Sequence, residues 1–393
     1  MKVLIWDKNI VLKNTGGPSG YLYNIQQFLK ESEYNEINFY SDYFKKKEVK
    51  NIKAPKNIFS KIYIYLIRFW ISLYKIYFYT EKLTKDEIDL INKFDFVHLH
   101  SIEDMRKYFL KNKMKINAKT ILTSHCPEPF IDEFSSQSYY MTFFQKNKFL
   151  RNYFIKKEIE AFNITDYIMF PVEQAKEVYT NSSIHYKKCF EYNKAKFFYV
   201  PTAIIDNVAI GNDKHIDKFV NKDKICVCFI GRHSHIKGYD KLVEIARNVW
   251  KKTDEVTFVL GGMKSSIVYP EDEKWIELGW VKTSDILNEI DVFILPNKQT
   301  YFDLIFLEVL RQGVPVIASF TGGNKWFVNK SRGILLYNYD DIEAASNHIL
   351  NCLDLKKKNC LSDLGKENRC LYEKEFVLSC YVETYITNIN NLH

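Results

Sequence analysis

The sequence lacks several patterns that mark common classes of protein. Its eight cysteines are scattered and include no CxxC pair, so neither a zinc site nor a redox dithiol is predicted, and reduced, mostly buried thiols are expected. The 393 residues contain no internal repeat and no low-complexity tract, which excludes a fibrous or wholly disordered protein. The first residues, MKVLIWDKN, have too short an apolar stretch for a signal peptide. We therefore expect a cytoplasmic protein, free or attached to the inner face of the cell membrane.

The sequence also has no uninterrupted apolar run of the roughly 20 residues that a membrane-spanning helix needs. The most apolar part, residues 58–79, is interrupted by Lys61, Arg68 and Lys75, which are spaced so that they fall on one stripe of a helix. Such a basic aromatic helix fits an interfacial position facing lipid phosphates. A core helix of the first domain with a solvated basic face is the alternative.

Positive charge is concentrated in one part of the chain. The formal net charge is +8, and residues 45–75 alone hold nine basic residues and one acidic residue, so this segment carries the whole imbalance. The pattern indicates contact with an anionic surface rather than a uniformly basic protein. Because many apolar side chains are interleaved with the basic ones, we predict that residues 45–79 meet an anionic membrane surface, and that nucleic acid is not a partner.

Short apolar runs alternate with longer amphipathic segments along most of the chain. Runs such as VLIW, FVHLH, CVCFIG and DVFILP are typical of buried strands in the parallel sheets of an α/β fold. A polar stretch, residues 206–224, separates two sets of such strands and is predicted to be a linker. We therefore predict two doubly wound domains, residues 1–205 and 225–371.

A glycine-rich turn follows the first predicted strand. Gly16 and Gly17, within TGGPSG, stand between the strand VLIW and a helical segment. Glycines in that place let backbone N–H groups approach a phosphate or a sugar closely, and the helix dipole favours negative charge there. The spacing does not match the dinucleotide fingerprint GxGxxG, so a plain tight turn is the alternative.

A second loop carries two cations after a buried strand. Gly231 and Arg232 follow CVCFI, and Lys237 comes shortly afterwards, just before the next glycine. An Arg fork and a Lys point charge in a glycine-bounded loop at the carboxyl end of a parallel strand suit a diphosphate. His233 and His235 have a spacing compatible with metal ligation, but no carboxylate or cysteine cluster accompanies them, and no metal site is predicted.

A third segment, PNKQTYFDLIFLEVLRQGVPVIAS, joins a strand to a helix that carries Glu308. A carboxylate in the first turns of such a helix, next to a diphosphate loop, is well placed to accept hydrogen bonds from two ribose hydroxyl groups. An isolated Glu is otherwise a surface or capping residue, so the neighbouring motifs carry this prediction. The acidic triplet at residues 271–273 follows a proline and is interpreted as a solvated turn.

Taken together, these motifs resemble the nucleotide-binding half of a family 4 glycosyltransferase with the GT-B fold. The resemblance rests on the loop with Arg232 and Lys237, on GWVKTSDILNEIDVFILP, on FDLIFLEVLRQGVPVIAS and on the glycines at 322–323. It covers residues 225–340 well and continues more loosely through GGPSG, FVHLHS and TILTSH. The implied fold is two Rossmann-like domains whose parallel sheets face each other across a cleft, with a C-terminal helix, residues 372–393, crossing back to the N-terminal domain.

The resemblance also implies an activity and its residues. It implies retaining transfer of a sugar from a nucleotide-sugar in the C-terminal domain to an acceptor in the N-terminal domain, without a metal or other cofactor. Arg232 and Lys237 would neutralise the diphosphate leaving group. His125, at the end of TILTSH, would face the donor sugar, and a purely structural role for it stays open. The other implied donor-binding residues are Gly16, Gly17, Gly231, Gly279, Val281, Thr300, Phe302, Asp303, Leu304 and Glu308.

The sequence departs from the family pattern at three positions. Thr300 stands where the family usually has the first Glu of a Glu-x7-Glu motif, which normally contacts hydroxyl groups of the donor sugar. Asp303 replaces a Gly, so a carboxylate could be supplied from a shifted position, and Trp326 replaces a later Glu. A tryptophan there could stack on a sugar or fill space. These departures bear on which sugar is recognised.

The sequence therefore predicts a glycosyltransferase that builds a cell-surface glycan at the inner face of the membrane, on a lipid-linked or cell-surface acceptor. The expected donor is a UDP-sugar, with GDP as the alternative nucleotide because it would use the same diphosphate and ribose contacts. Thr300 motivates a second interpretation, a non-catalytic subunit of the same fold that binds a partner transferase or a glycan acceptor.

Overall fold

The computed structural model describes residues 1–13, 17–44, 67, 70–136, 146–206, 224–263 and 267–392. The chain divides into two compact units. The N-terminal unit comprises Met1–Phe170, Tyr179–Val200 and Tyr385–His393, and the C-terminal unit comprises Pro171–Val178 and Pro201–Thr384. Each unit is built around a parallel sheet of its own.

The N-terminal unit contains a six-stranded sheet in the order β2-β1-β3-β4-β5-β6, with every pairing parallel. Strands of such a sheet are buried on both faces, which is why the runs VLIW and FVHL are buried throughout. The strands are β1 Val3–Trp6, β2 Ile37–Phe39, β3 Phe96–Leu99, β4 Lys119–Leu122, β5 Tyr167–Phe170 and β6 Phe197–Tyr199.

Two helices of this part of the chain begin at clear capping residues. The hydroxyl of Thr84 accepts a hydrogen bond from the Glu87 N–H while the Glu87 carboxylate accepts one from the Thr84 N–H, a capping box. Asn147 caps the helix Lys148–Ile164. The α-helices are α1 Gly17–Lys30, α2 Lys85–Ile91, α3 Ile102–Asp104, α4 Phe130–Ser136, α5 Lys148–Ile164, α6 Glu177–Thr180 and α7 Ile184–Tyr192. Short 3-10 helices lie at Tyr40–Asp42, Lys113–Lys115, Glu173–Lys176 and Lys194–Lys196, and a π-helical turn lies at Met105–Phe109.

A buried carboxylate links several segments of the N-terminal unit. Glu158, on α5, is fully buried. It accepts hydrogen bonds from the hydroxyls of Tyr77 (2.6 Å) and Tyr186 and from the main-chain N–H groups of Phe130 (3.1 Å) and Ile131 (2.9 Å). Burial raises the pKa of Glu158 above its ordinary value, although these donors act in the opposite direction. One side chain thus fixes α5 against α7, the start of α4 and the helical residues 70–77.

The C-terminal unit contains a second six-stranded parallel sheet, in the order β12-β11-β10-β7-β8-β9. β7 lies inside the sheet and pairs with β8 and β10. The carboxyl ends of β7 and β10 therefore lie side by side at one edge, the edge at which open α/β sheets bind ligands. The strands are β7 Ile225–Ile230, β8 Val256–Gly261, β9 Trp275–Gly279, β10 Val292–Leu295, β11 Val316–Ser319 and β12 Ile334–Tyr337.

The helices of the C-terminal unit cover this second sheet with their apolar faces. In the first of them, the buried side chains recur at helical spacing and join the core cluster that includes β7 and β8. The α-helices are α8 Tyr239–Trp250, α9 Thr283–Ile286, α10 Leu304–Gln312, α11 Ile342–Lys357, α12 Leu361–Glu375 and α13 Leu378–Asn390, and 3-10 helices lie at His235–Lys237 and Gly322–Phe327.

The structure confirms the α/β prediction with two parallel sheets and corrects two predicted boundaries. The N-terminal domain is not continuous up to residue 205, since Pro171–Val178 belongs to the C-terminal unit, where Glu177 pairs with Lys325 at 2.8 Å. The final helix begins at Leu378 rather than at Tyr372. Tyr372 lies within α12, Leu361–Glu375, and its buried hydroxyl donates to the Ile204 carbonyl at 3.0 Å. From Tyr385 onward, α13 belongs to the N-terminal unit.

Two predicted segments fall largely outside the described residues. They are residues 207–223 of the linker, and residues 45–66, 68 and 69 of the basic aromatic segment. Residues 70–77 of that segment are helical. Among the residues that the structure describes, no helix is both long enough and apolar enough to cross a membrane.

The Glu158 network yields a prediction for stability. Replacing Glu158 with Ala leaves two hydroxyls and two main-chain N–H groups without their buried acceptor, and should lower the free energy of unfolding by about 3–5 kcal/mol. Urea denaturation measures this value. The control is Glu173→Ala, which removes a largely exposed partner of Lys176 and should cost less than about 1 kcal/mol. Equal losses in the two variants would contradict the role given to Glu158.

Candidate functional site

The loop after β7 is held in place by close approaches of its main chain. Gly238, which ends the 3-10 helix His235–Lys237, has φ +68°, and a Cβ there would lie 1.6 Å from the Pro296 carbonyl oxygen. The Lys298 N–H donates to the Ile236 carbonyl at 3.1 Å. Glycine is therefore required at position 238 both for its left-handed conformation and for space. The loop that carries the predicted diphosphate cations thus packs directly on the segment that follows β10.

Lys237 forms a bidentate ion pair with Asp303. The Lys237 Nζ lies 2.8 Å from Oδ1 and 2.7 Å from Oδ2 of Asp303, and each of the two side chains is only 16% exposed. The Asn297 Nδ2 donates to the same Oδ2 at 2.6 Å. Burial acts to raise the pKa of Asp303, but the Lys237 ammonium and the surrounding donors outweigh it and hold that pKa below its ordinary value. The carboxylate is therefore ionised beside the predicted diphosphate loop.

Thr300 packs against two glycines of the loop after β11, Gly322 and Gly323. Its side chain is fully buried. The Gly323 N–H donates to the Thr300 carbonyl at 3.2 Å, and a Cβ at Gly322 would lie 2.0 Å from that same oxygen. The two glycines that were singled out in the sequence are required because the loop after β11 presses on the main chain of residues 300 and 301. Position 300 thus presents main chain, rather than a carboxylate, to this loop.

Glu308, the predicted ribose ligand, lies on α10 near the start of α9. Burial raises the pKa of Glu308, although a hydrogen bond from Thr283 and the charge of Arg311 act in the opposite direction. The neighbouring turn contains Gly279, which has φ +73°, and the largely exposed Trp280. A carboxylate and an open turn are therefore placed together, as the prediction of a ribose and base site requires.

The two histidines of the diphosphate loop lie in different surroundings. His233 is buried and stacks on Tyr239 with ring centroids 4.1 Å apart. His235 is exposed, and its Nδ1 lies 3.1 Å from Asp240. Arg232, between the strand and these histidines, has an exposed side chain. In the described part of the chain, no group of three or more His, Cys, Asp or Glu side chains is arranged to hold a metal ion.

Trp326 fills space beside an aromatic cluster. Its ring lies 5.2 Å from that of Phe327 and 5.6 Å from that of Phe376, and the Lys330 ammonium lies 3.5 Å from its centroid. Phe302 is buried in the same cluster, stacked on Phe327 at 5.5 Å. Of the two roles considered for Trp326, the structure shows the packing role.

His125, predicted to face the donor sugar, belongs to a cluster of histidines in the N-terminal unit. Its Nε2 lies 3.0 Å from Nδ1 of His100, and the His98 ring stacks beside His100 at 4.1 Å. Tyr21, on α1, lies 5.0 Å from the His125 ring. Burial lowers the pKa of His125 to about 4, and burial together with the charge of His125 lowers that of His98 to about 3.

The last helix also contributes to this cluster. The Tyr385 hydroxyl lies 2.8 Å from His98 Nδ1, and the Thr123 hydroxyl lies 2.8 Å from His98 Nε2. Gly17, which begins α1 with φ +75°, has open space around it. Gly16, its predicted companion, lies outside the described residues.

The structure therefore places the predicted residues in both units. Lys237, Asp303 and Thr300 come together in the C-terminal unit, with Glu308 on the same helix as Leu304. Sequence patterns alone did not reveal Asn297 or the Lys237–Asp303 pairing. They also did not reveal His98 in β3 and His100 just after it, although the spacing of two along FVHLHS puts both on the same side of an extended chain and could have indicated them.

The depressed pKa values of the histidine cluster predict how stability depends on pH. Unfolded imidazoles take up protons near pH 6.5, whereas folded His125 does so only near pH 4. Its contribution is complete above pH 6.5, and it is lost as the pH falls from about 6.5 to about 4, by roughly 3 kcal/mol. In His125→Gln, urea denaturation across this range should show a flatter loss than in the unmodified protein.

The control is Met114→Gln, which replaces an exposed side chain that does not titrate. It should keep the pH slope of the unmodified protein. If His125→Gln also keeps that slope, the neutral buried state assigned to His125 is wrong.

Comparisons with known proteins agree with this architecture. Residues 224–354 match the family model of the group 1 glycosyl transferases. The chain is 26% identical over 316 residues to an uncharacterised 41.2 kDa protein of the cps region of Klebsiella pneumoniae, and the match covers 75% of this chain and 79% of that protein.

Solved structures of other proteins share the fold over the full length of the chain. Sucrose-phosphate synthase from Thermosynechococcus elongatus has a TM-score of 0.63 at 14% identity, covering 100% of this chain and 99% of that one. HepE from Anabaena in complex with UDP-glucose has a TM-score of 0.61 at 11% identity, covering 100% of both chains. Two six-stranded parallel sheets and these matches together confirm the GT-B part of the resemblance inferred from the motifs: the chain has the fold of the GT-B glycosyltransferases, and its residues 224–354 match the model of the group 1 glycosyl transferases.

Proposed function

We propose that the protein is a glycosyltransferase that moves a sugar from a UDP-sugar to a lipid-linked or cell-surface glycan acceptor, with retention of configuration. The observation that carries the proposal is the glycine-bounded loop with Arg232 and Lys237 at the carboxyl end of β7, next to the start of α10. Two cations at that edge of a parallel sheet fit a nucleoside diphosphate. HepE, which shares the fold, is described with UDP-glucose bound, and this supports UDP over GDP.

The chemistry assigned to these side chains is electrostatic. As the bond between the sugar and the diphosphate breaks, negative charge builds up on the diphosphate, and cations fixed beside it stabilise that charge. Arg232 offers a planar fork and Lys237 a point charge for this purpose. Glu308 accepts hydrogen bonds from the ribose, and the turn at Gly279 and Val281 borders the base. We propose that no metal ion is needed, because these cations supply the compensating charge.

An exposed aromatic surface on the N-terminal unit supports attachment to a membrane. It consists of Trp70 and Tyr74 on the helical residues 70–77, Phe78 in the turn that follows them, and Phe149 and Tyr153, spaced four apart on α5. The Phe78 ring stacks on Tyr74 at 6.3 Å and on Tyr153 at 6.4 Å, so the two rows are continuous. Exposed aromatic rows of this kind insert at the level of lipid head groups.

Basic side chains accompany this aromatic surface. Lys75, Lys146, Lys148 and Lys156 are exposed on or beside the same two helices. Cations next to inserted aromatic rings pair with anionic lipid phosphates. We therefore propose that the enzyme works as a peripheral protein at the inner face of the cell membrane, where a lipid-linked acceptor is found. The relative from the cps region of Klebsiella pneumoniae supports a polysaccharide as the product.

A second candidate function is a non-catalytic subunit that binds a partner transferase or a glycan acceptor. The observation that favours it is Thr300, which is buried where a sugar-binding Glu would be expected. The Lys237–Asp303 pair and the placement of Glu308 favour the enzyme, because a subunit that binds no donor has no physical need for a charged site at this edge.

Binding of UDP tests the proposed donor site. We expect isothermal titration calorimetry to show UDP binding that becomes about 10- to 100-fold weaker in Arg232→Ala, since a charge-assisted contact to the diphosphate is lost. GDP should bind less tightly than UDP, and EDTA should leave UDP binding unchanged.

The matched control is Arg332→Ala, which removes an exposed arginine paired with Glu367 and should bind UDP normally. If the unmodified protein binds neither nucleotide, the donor site is not in use, and this result would favour the interpretation as a non-catalytic subunit. Tight UDP binding that persists in Arg232→Ala would remove Arg232 from the site.

Binding to vesicles tests the proposed membrane surface. The unmodified protein should sediment with vesicles containing phosphatidylglycerol and much less with vesicles of phosphatidylcholine alone. The double variant Trp70→Ser, Tyr74→Ser should bind about tenfold or more weakly, because two inserted rings are lost. Tyr192→Ser removes an exposed ring elsewhere on the unit and should bind normally. Unchanged binding of the double variant would exclude this surface.

A further inference from the structure

We propose that Asp303 is the residue that recognises hydroxyl groups of the donor sugar, and that Lys237 links this carboxylate to the diphosphate. The inference rests on the proposed function, since it assigns the sugar subsite of the same donor site. Asp303 and Asn297 would then determine which sugar is accepted. The ligand class is the hexosyl group of a nucleotide-sugar, which is recognised through hydrogen bonds from its hydroxyl groups.

The geometry of Lys237 allows it to bridge two ligands. An ammonium group has three N–H donors, and the two oxygens of Asp303 take up one side of it, at 2.8 and 2.7 Å. The remaining donor capacity is available to a diphosphate oxygen. A sugar bound at Asp303 and a diphosphate bound at Lys237 are then neighbours, as they are within one nucleotide-sugar molecule.

Asp303 stands at the cap position of α10 but does not cap it. Its backbone is extended, with φ −73° and ψ 126°, and its side chain accepts no hydrogen bond from the first turn of the helix. An Asp in this position usually accepts from such N–H groups. Here Lys237 and Asn297 hold the carboxylate instead, so contacts within the candidate site, and not contacts to the helix, set its orientation.

Asn297 supplies a second, independent observation. Its side chain is fully buried, and its Nδ2 donates to Asp303 at 2.6 Å. Its Oδ1 has no hydrogen-bond partner among the residues that the structure describes. A buried acceptor without a partner costs free energy. A sugar hydroxyl that donates to Asn297 Oδ1 while a neighbouring hydroxyl donates to Asp303 would satisfy both groups.

The surroundings of Thr300 explain why recognition would move along the chain. Thr300 is fully buried, and the main chain of Gly322 and Gly323 presses on residues 300 and 301. The hydroxyl-bearing side chain there cannot provide a negative charge. Asp303, three residues later, is the ionised carboxylate closest along the chain to the position that Thr300 occupies, and it is already oriented by two donors.

Calorimetry with UDP, UDP-glucose, UDP-galactose and UDP-N-acetylglucosamine tests the proposal. In the unmodified protein, at least one UDP-sugar should bind more tightly than UDP. In Asp303→Asn, that advantage should fall about 10- to 100-fold, as when a charge-assisted hydrogen bond is lost, while the affinity for UDP itself should change much less because Lys237 keeps its charge.

Two further variants keep the test decisive. Asp303→Glu retains the ion pair but moves the carboxylate, so it should keep UDP affinity and lose the preference among sugars. Asp254→Asn, which breaks an exposed pair with Lys274, should change neither property. Thermal melting confirms that each variant is folded.

The outcomes separate this proposal from the proposed function. Equal weakening of UDP and UDP-sugars in Asp303→Asn would mean that Asp303 only positions Lys237, and the proposal would be overturned. Binding of every UDP-sugar no tighter than UDP in the unmodified protein would also overturn it. Failure of the unmodified protein to bind UDP at all would instead contradict the donor site as a whole.

Discussion

The ion pair between Lys237 and Asp303 is the interaction on which the candidate site depends. It joins the loop after β7 to the start of α10, two segments that are far apart in sequence. Both side chains are mostly buried, so removing either one would leave a charge with poor access to water. The pair therefore keeps the two edges of the donor site together before any ligand arrives. A site that is already ordered loses less binding free energy to rearrangement when the ligand binds.

Close packing between main-chain segments also holds this arrangement in place. Gly238 meets the Pro296 carbonyl, Gly322 meets the Thr300 carbonyl and Gly262 meets the Gly231 carbonyl, each at a distance that leaves no room for a Cβ. These contacts join the loops that follow β7, β8, β10 and β11 at the carboxyl edge of the sheet. The main chain at this edge is therefore tightly packed, and it positions the few charged side chains that define the chemistry.

The sequence was most informative where local patterns decide the structure. Buried apolar runs predicted the strands, and glycine-bounded loops after them predicted the edge at which Arg232, Lys237 and Glu308 lie. Local sequence patterns could not predict the tertiary contacts. Asp303 was recognisable as a departure from the family motif, but its partner Lys237 lies on another loop, and only the fold brings them together. Trp326 and Phe302 were ambiguous for the same reason, because an aromatic side chain packs or binds according to its neighbours.

The donor site rests on contacts within one unit, whereas the acceptor and the membrane are inferred from the aromatic surface of the other unit. The most direct test of the central claim is a crystal structure of the protein with UDP bound. We expect a diphosphate oxygen within hydrogen-bond distance of Lys237 Nζ while Asp303 remains paired with the same ammonium. A diphosphate bound away from Lys237, or one that displaces Asp303 from it, would contradict the roles assigned to these two side chains.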